Sequence, residues 1–227
     1  MTFILSMAII VLIAFAQCTD VFAYSIKGMQ GTAGRQAIGL ANLLNFVSRI
    51  FYMSAIVIIS VLFEIYHLGD ALLTIVGIGF FCSAIFCSLL ALFPVFMRWY
   101  RLIFYPIYIL SYKDLRNSLP HIVRKKPEMN RSTILSFFVS VILGLAYIFP
   151  VWLAMHFSEM RMLASYSGQV LNFVATALAL ALLEPTLYYH LDQARSSLVG
   201  DVSKVAVDII FGKIFSQVAL VVACVTI

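Results

Sequence analysis

Six long apolar runs dominate this 227-residue chain and leave little sequence between them. A helix needs about 20 residues to cross the roughly 30 Å hydrocarbon core of a bilayer. Each run is long enough to do so, whereas a buried helix of a soluble protein is usually shorter. The sequence therefore predicts six transmembrane helices, at about residues 2–22, 36–63, 71–97, 133–156, 169–189 and 205–227.

The composition excludes a soluble globular protein. Apolar residues make up 63% of the chain and charged residues 11%, against about half and about a quarter in soluble domains. We predict one all-α polytopic membrane domain over residues 1–227, with no room for a separate soluble domain. The four cysteines lie inside apolar runs without metal-ligand spacing, so neither a disulfide nor a metal site is indicated. No Lys or Arg precedes the first run, which favours a retained helix over a signal peptide.

Loop charges predict the orientation of the bundle. The loops after the first, third and fifth runs together carry twelve Lys and Arg residues. The two loops on the opposite side carry one, Arg161. Because basic loops stay cytoplasmic, both termini are expected outside the cytoplasm and the large basic loop 98–131 inside.

The basic loop 98–131 has its own aromatic pattern. Tyr100, Phe104, Tyr108 and Tyr112 recur at every fourth residue, and Pro106 interrupts an apolar stretch too short to span. This pattern predicts an interfacial or re-entrant helix with rings at headgroup depth. The basic run at 121–126 would attract anionic headgroups, either as a topology-setting anchor or as a platform that gathers an anionic lipid.

Ionisable residues inside spans point to function because they are costly there. Arg49 lies on the order of 20 Å into the second span at about 1.5 Å per residue. At the helix centre an Arg costs about 2.5–3.5 kcal/mol on insertion scales. Asn42 and Asn45 share its helix face. This polar stripe is interpreted as the lining of a cavity, or alternatively as a structural network of interhelical hydrogen bonds and one ion pair.

Partners for Arg49 are available on other helices. Asp20 lies near the cytoplasmic end of the first span, and Glu184 precedes Pro185, where a kink would open backbone carbonyls. Asp208 and Lys213 are roughly 140° apart on the last helix and are not expected to pair with each other. Basic groups reaching from the cytoplasmic surface to mid-membrane suit a phosphate-bearing headgroup. Protonatable carboxylates beside them could couple its movement to a proton gradient.

Two stretches of the chain, 19–49 and 191–217, resemble the Amj-type lipid II flippases of bacterial cell-wall synthesis. In stretch 19–49 the resemblance lies in an acidic residue, a tyrosine and basic residues that precede a Ser-Arg pair. The matching residues are Asp20, Tyr24, Lys27, Arg35, Asn42, Ser48 and Arg49. Stretch 191–217 is similar to the family's Asp-x-x-x-Ser segment and last helix, carried by Asp192, Ser196, Asp201, Gly212 and Gln217. The family usually has Glu at Asp20 and Arg at Lys27, and residues 50–56 are more apolar here.

The resemblance implies a transporter, not an enzyme, that flips lipid II from the cytoplasmic to the outer leaflet of the bacterial plasma membrane. Its partners would be lipid II and membrane lipids, with no nucleic acid, no cofactor and no indicated oligomer. The substrate-binding residues would be Arg49, Lys27, Arg35, Ser48, Asn42, Tyr24 and Lys213, and the charge-coupling residues Asp20, Glu184, Asp192, Asp201 and Asp208.

Three other functions stay open. They are a small-solute or ion secondary transporter, a non-transport membrane subunit that holds an enzyme through its basic loop, and an integral enzyme acting on a polyprenyl phosphate. The sequence contains no recognisable catalytic motif and no clustered acid–His pair. A lateral gap between helices beside Arg49 would favour lipid export over a solute transporter, whose cavity would be sealed from lipid.

Overall fold

The fold was analysed in a computed structural model, which describes residues 2–28, 33–66, 69–103, 128–157, 161–195 and 202–226. Helices make up nearly all of these residues. They are α1 (Thr2–Lys27), α2 (Ala33–Tyr66), α3 (Gly69–Leu92), α4 (Pro94–Ile103), α5 (Arg131–His156), α6 (Arg161–Leu178), a π-helical segment (Ala179–Leu183), α7 (Glu184–Arg195) and α8 (Val202–Thr226).

Six helical stretches in the described residues are long and apolar enough to cross a membrane, which confirms the predicted polytopic helical bundle. Many large apolar side chains on their outer faces are exposed, including Phe46, Phe173 and Val222. A lipid-facing surface requires this, because the polar face of a soluble helix would be unfavourable there. α6, the π segment and α7 together form the fifth span.

Among the helix ends that differ from the sequence prediction, those of α1 and α3 matter most for the site and the basic loop. α1 continues to Lys27, which is fully buried, so Lys27 belongs to a span and not to a loop. α3 ends at Leu92, and a separate ten-residue helix, α4, starts at Pro94. Proline is favoured in the first turn of a helix because its missing amide has no partner there anyway. A short helix therefore follows α3. The predicted interfacial or re-entrant helix of the basic loop falls mostly on residues 104–127, which lie outside the described part.

α4 is attached to α1 by one aromatic side chain. The Tyr100 hydroxyl lies 2.8 Å from Thr19 Oγ1 and donates to the Phe15 carbonyl at 3.1 Å. Its ring packs edge-on against Phe22, at a centroid distance of 5.3 Å. Burial raises the pKa of Tyr100, so this phenol stays protonated and available as a donor. The start of the basic loop is thereby held against the first span.

The centre of the bundle is formed by α1, α3, α5 and α8. α1 packs against α2, α3 and α8, while α5 packs against α6 and α8. Gly212 makes the α5–α8 crossing close, because a Cβ atom there would lie 2.3 Å from the Thr133 carbonyl oxygen. α2 packs chiefly on α1, and a side-chain contact between Arg49 and Asn172 joins it to the fifth span. This arrangement leaves a gap between α2 and the fifth span.

The fifth span changes its helical geometry just before Pro185. The five residues Ala179–Leu183 form a π-helix, and α7 starts at Glu184. A proline inside a helix removes one backbone hydrogen bond and collides with the carbonyl four residues earlier. A π turn widens the helix locally, and such turns are frequent at functional sites. Here it sets the position of Glu184.

Candidate functional site

A cavity of about 180 Å³ lies among α1, α2, α5, the fifth span and α8. Its polar lining combines acidic, basic, phenolic, amide and hydroxyl groups: Asp20, Tyr24, Asn45, Arg49, Thr176, Glu184 and Lys213. The remaining lining is apolar, so charges in this cavity interact in a low-dielectric setting. Six of the residues singled out from the sequence therefore line one cavity: Asp20, Tyr24, Asn45, Arg49, Glu184 and Lys213.

Asp20 and Lys213 form a buried ion pair. Lys213 Nζ lies 2.8 Å from Asp20 Oδ2, and Lys213 and Asp20 are 3% and 2% exposed. Lys213 thus pairs with α1 and not with Asp208, in agreement with the angular separation of the two residues along α8. The ammonium also lies 5.0 Å from the centre of the Tyr24 ring. The pair joins the first and last helices of the chain.

A second buried ion pair joins Lys27 to Glu184 Oε1. The Tyr24 hydroxyl donates to the same carboxylate oxygen at 3.4 Å, and Lys27 Nζ lies 5.0 Å from the centre of the Tyr24 ring. Tyr24 thus stands between the two ammonium groups and touches both ion pairs. The other oxygen, Glu184 Oε2, is buried and has no hydrogen-bond partner in the described part of the chain.

Arg49 differs from both lysines because none of the described carboxylates forms a salt bridge with it. Its guanidinium donates to the Asn172 side-chain oxygen at 3.3 Å and lies 5.6 Å from the Tyr52 ring centre. Arg49 is only partly buried, at the edge of the cavity. An arginine held by an amide and an aromatic ring keeps most of its five donors for a ligand.

Another cavity, of about 310 Å³, adjoins the first on the α2 side. Its lining residues are Asn42, Asn45, Leu180, Glu184, Pro185 and Tyr188. It shares Asn45, Leu180 and Glu184 with the cavity that contains Arg49. Asn42 and Leu180 are exposed on the outside of the bundle. The two cavities together make a lateral opening between α2 and the fifth span, which we call the lateral gap.

Further polar groups are buried beside the site. Gln217 donates to Gln17 Oε1 at 3.2 Å and accepts from Ser83 at 3.0 Å, which links α8 to α1 and α3. The hydroxyls of Tyr52 and Tyr147 are buried without a partner among the described residues, with ring centres 5.5 Å apart. Buried polar atoms without a protein partner are common binding points for ordered water.

The other residues singled out from the sequence lie elsewhere. Ser48 faces α1 and donates to the Ala16 carbonyl at 3.0 Å, so it joins two helices and does not line the cavity. Asp208 accepts from the Glu128 amide at 3.0 Å and from Asn130, which caps α5. Asp192 is exposed near the end of α7. The side chain of Arg35, together with Ser196 and Asp201, lies outside the described residues.

Sequence reasoning missed three polar residues of the site, Asn172, Thr176 and Tyr188. Asn172 is 5% exposed, and its side chain holds Arg49 in place. Tyr188 lies in the lateral gap beside Asn42 and Glu184. Asn172 could have been found by the criterion applied to Arg49, since an amide inside an apolar span is costly. Tyr188 carries no comparable signal, because tyrosines are ordinary near membrane interfaces.

Comparison with protein-family models, with curated proteins and with solved structures finds no match for this chain. The resemblance to the Amj-type flippases therefore stays a prediction from the two sequence stretches.

Proposed function

We propose that this protein is a lipid flippase that moves lipid II from the cytoplasmic to the outer leaflet of the bacterial plasma membrane. The observation that carries the proposal is the lateral gap beside Arg49. A lipid carrier needs a polar path for the headgroup that stays open sideways, so that the hydrocarbon chain can remain in the bilayer. The apolar faces flanking the gap, such as Phe46 and Leu180, would contact that chain.

The chemistry of the cavity suits a phosphate-bearing headgroup. Arginine binds phosphate oxygens through several donors in a planar fork, and Arg49 has no carboxylate occupying that fork among the described residues. Lys27 and Lys213 lie deeper and are neutralised by Glu184 and Asp20. A headgroup entering from the outer cavity would pass Asn42 and Glu184 before it reached Arg49, and could then compete for the two ammonium groups.

The same geometry bears on the rival functions. A small-solute or ion transporter needs no opening to lipid, so the lateral gap favours the lipid substrate. A scaffold subunit would have no use for an arginine that faces a cavity beside two buried ion pairs. The clustered acid–His pair expected of a polyprenyl-phosphate enzyme does not occur among the residues lining the two cavities.

Replacement of Arg49 tests the proposal. In a bacterium depleted of its own lipid II flippases, expression of this protein should restore growth, and Arg49→Ala should not, although it reaches the membrane at wild-type levels. The loss follows from removing the cation that faces the lateral gap. Arg131→Ala is the matched control, because Arg131 is exposed at the start of α5, away from the cavity. Growth of the Arg49→Ala strain equal to wild type would overturn the assignment.

A further inference from the structure

The charges of the site do not balance those of a diphosphate. Three cations, Arg49, Lys27 and Lys213, face two carboxylates, Asp20 and Glu184, so the site carries +3 − 2 = +1. Under the proposed function, on which this inference rests, the headgroup carries a diphosphate diester with two negative charges. An occupied site would then hold one excess negative charge in a low-dielectric surrounding, which is unfavourable. One proton would make the occupied site neutral.

Glu184 is the carboxylate placed to take that proton. Its Oε1 is already bonded to Lys27 and Tyr24, whereas its buried Oε2 has no partner among the described residues. Glu184 lines both cavities and so borders the path from the lateral gap to Arg49. A phosphate oxygen can approach a carboxylate oxygen within hydrogen-bond distance only if a proton lies between them.

Asp20 is less suited to this role. It lines only the inner cavity and is held by Lys213 at 2.8 Å, with the charge of Arg49 also nearby. The other titratable or charged groups around Glu184 are cationic or phenolic. They are Tyr24 and Lys27 on α1, Arg49 on α2, Tyr188 on α7 and Lys213 on α8. α5 contributes only apolar side chains to the cavity.

We propose that the site binds a diphosphate-linked lipid headgroup together with one proton, which is held on Oε2 of Glu184 and donated to a phosphate oxygen. The proton comes from water on the side from which the headgroup enters. It leaves when the headgroup leaves, and no covalent bond of the lipid is formed or broken. Headgroup movement and proton movement are thereby coupled at one side chain.

Binding measured against pH tests this proposal. The probe is a lipid II analogue with a shortened prenyl chain, titrated into the purified full-length protein in lipid nanodiscs from about pH 6 to pH 8. Over the pH range in which Glu184 is ionised in the empty site, the affinity for the analogue should rise about tenfold for each pH unit of acidification. This slope follows because one proton is taken up per ligand bound. Calorimetry in buffers of different ionisation enthalpy should give an uptake close to one proton, with no variant needed.

Two variants complete the experiment. Glu184→Gln mimics the protonated carboxyl and should bind the analogue with an affinity independent of pH. Glu64→Gln, at an exposed site near the other end of α2, should keep the wild-type slope. Wild-type binding without proton uptake would overturn this inference and leave the proposed function standing. No binding of the analogue at any pH would instead contradict the proposed function.

Discussion

At the scale of single residues, the most unusual feature is two buried lysines. Lys27 is fully buried and Lys213 nearly so, and each has one carboxylate partner. Burying such a pair is costly, and well-packed apolar side chains are often at least as stable. Removing a single partner is worse, because it leaves an uncompensated charge. Two such pairs around one cavity therefore contribute little net stability to the fold, although loss of one partner would be costly.

The Asp20–Lys213 pair can be tested by charge removal in two steps. Asp20→Asn alone should destabilise the protein by about 3–5 kcal/mol, since it leaves Lys213 charged in the bundle interior. Asp20→Asn combined with Lys213→Met should recover most of that loss. Thermal unfolding in detergent measures both effects. Equal melting temperatures for the single and double variants would show that the two side chains are not coupled.

The double variant also separates structure from function. If it is folded and melts near the wild-type temperature but does not support growth of the flippase-depleted strain, the pair contributes to transport itself. Full growth would mean that Lys213 is dispensable for the headgroup path.

The sequence indicated which charged residues would face the interior of the bundle better than which of them would pair. Arg49 stands out in the sequence because a basic side chain at that depth of a span cannot easily reach the membrane–water interface. The predicted first span, 2–22, leaves Lys27 in the loop that follows, because basic residues just after an apolar run are normally loop residues. Its partner Glu184 follows 157 residues later, and nothing local in the sequence joins the two. Tertiary packing decides which cation meets which carboxylate.

At the scale of helices, the α5–α8 crossing depends on Gly212. A Cβ atom at this position would lie 2.3 Å from the Thr133 carbonyl oxygen and 2.9 Å from Ser136 Cβ, so the helices would have to separate. Ser136 also donates to the Ile209 carbonyl at 2.7 Å across the same contact. Small residues at helix interfaces in membranes allow this close approach and the hydrogen bonds that accompany it.

Gly212→Ala should therefore destabilise the bundle by about 1–3 kcal/mol, the usual cost of overpacking. Val218→Ile is the matched control, because it also adds one carbon on α8 but at an exposed, lipid-facing position. The readout is the melting temperature of each variant in the same detergent. If Gly212→Ala melts together with Val218→Ile, the close crossing does not limit stability.

Helix number was predictable from the sequence, and helix ends were less so. Six apolar runs gave six spans because the bilayer sets their length. The third predicted span, 71–97, extends over the first four residues of α4, because the helix breaks at Phe93 without a break in the hydrophobicity. At the π segment before Glu184 the sequence predicts only a kink at Pro185. A widened turn has no sequence signal distinct from the proline that accompanies it.

At the scale of the whole molecule, orientation is the prediction that most affects mechanism. Single cysteines should be introduced at Met129 and at Glu64 in a variant without the four native cysteines. Both positions are exposed, at opposite ends of the bundle. In intact cells a membrane-impermeant maleimide should label Glu64→Cys and leave Met129→Cys unlabelled until the cells are lysed, because the basic loops stay inside. The opposite labelling pattern would invert the topology and the proposed direction of transport.

The position of α8 has a consequence for movement. Asp208 holds the capping segment of α5 and Lys213 holds α1, so α8 is tied to two neighbours within five residues. Glu184, in contrast, follows a π turn and precedes a proline in the fifth span. A bend at that turn would carry the carboxylate away from Lys27 while both lysines stayed in place. Such a bend would break the Lys27–Glu184 pair and leave the Asp20–Lys213 pair intact, so only one of the two buried cations would lose its counter-charge.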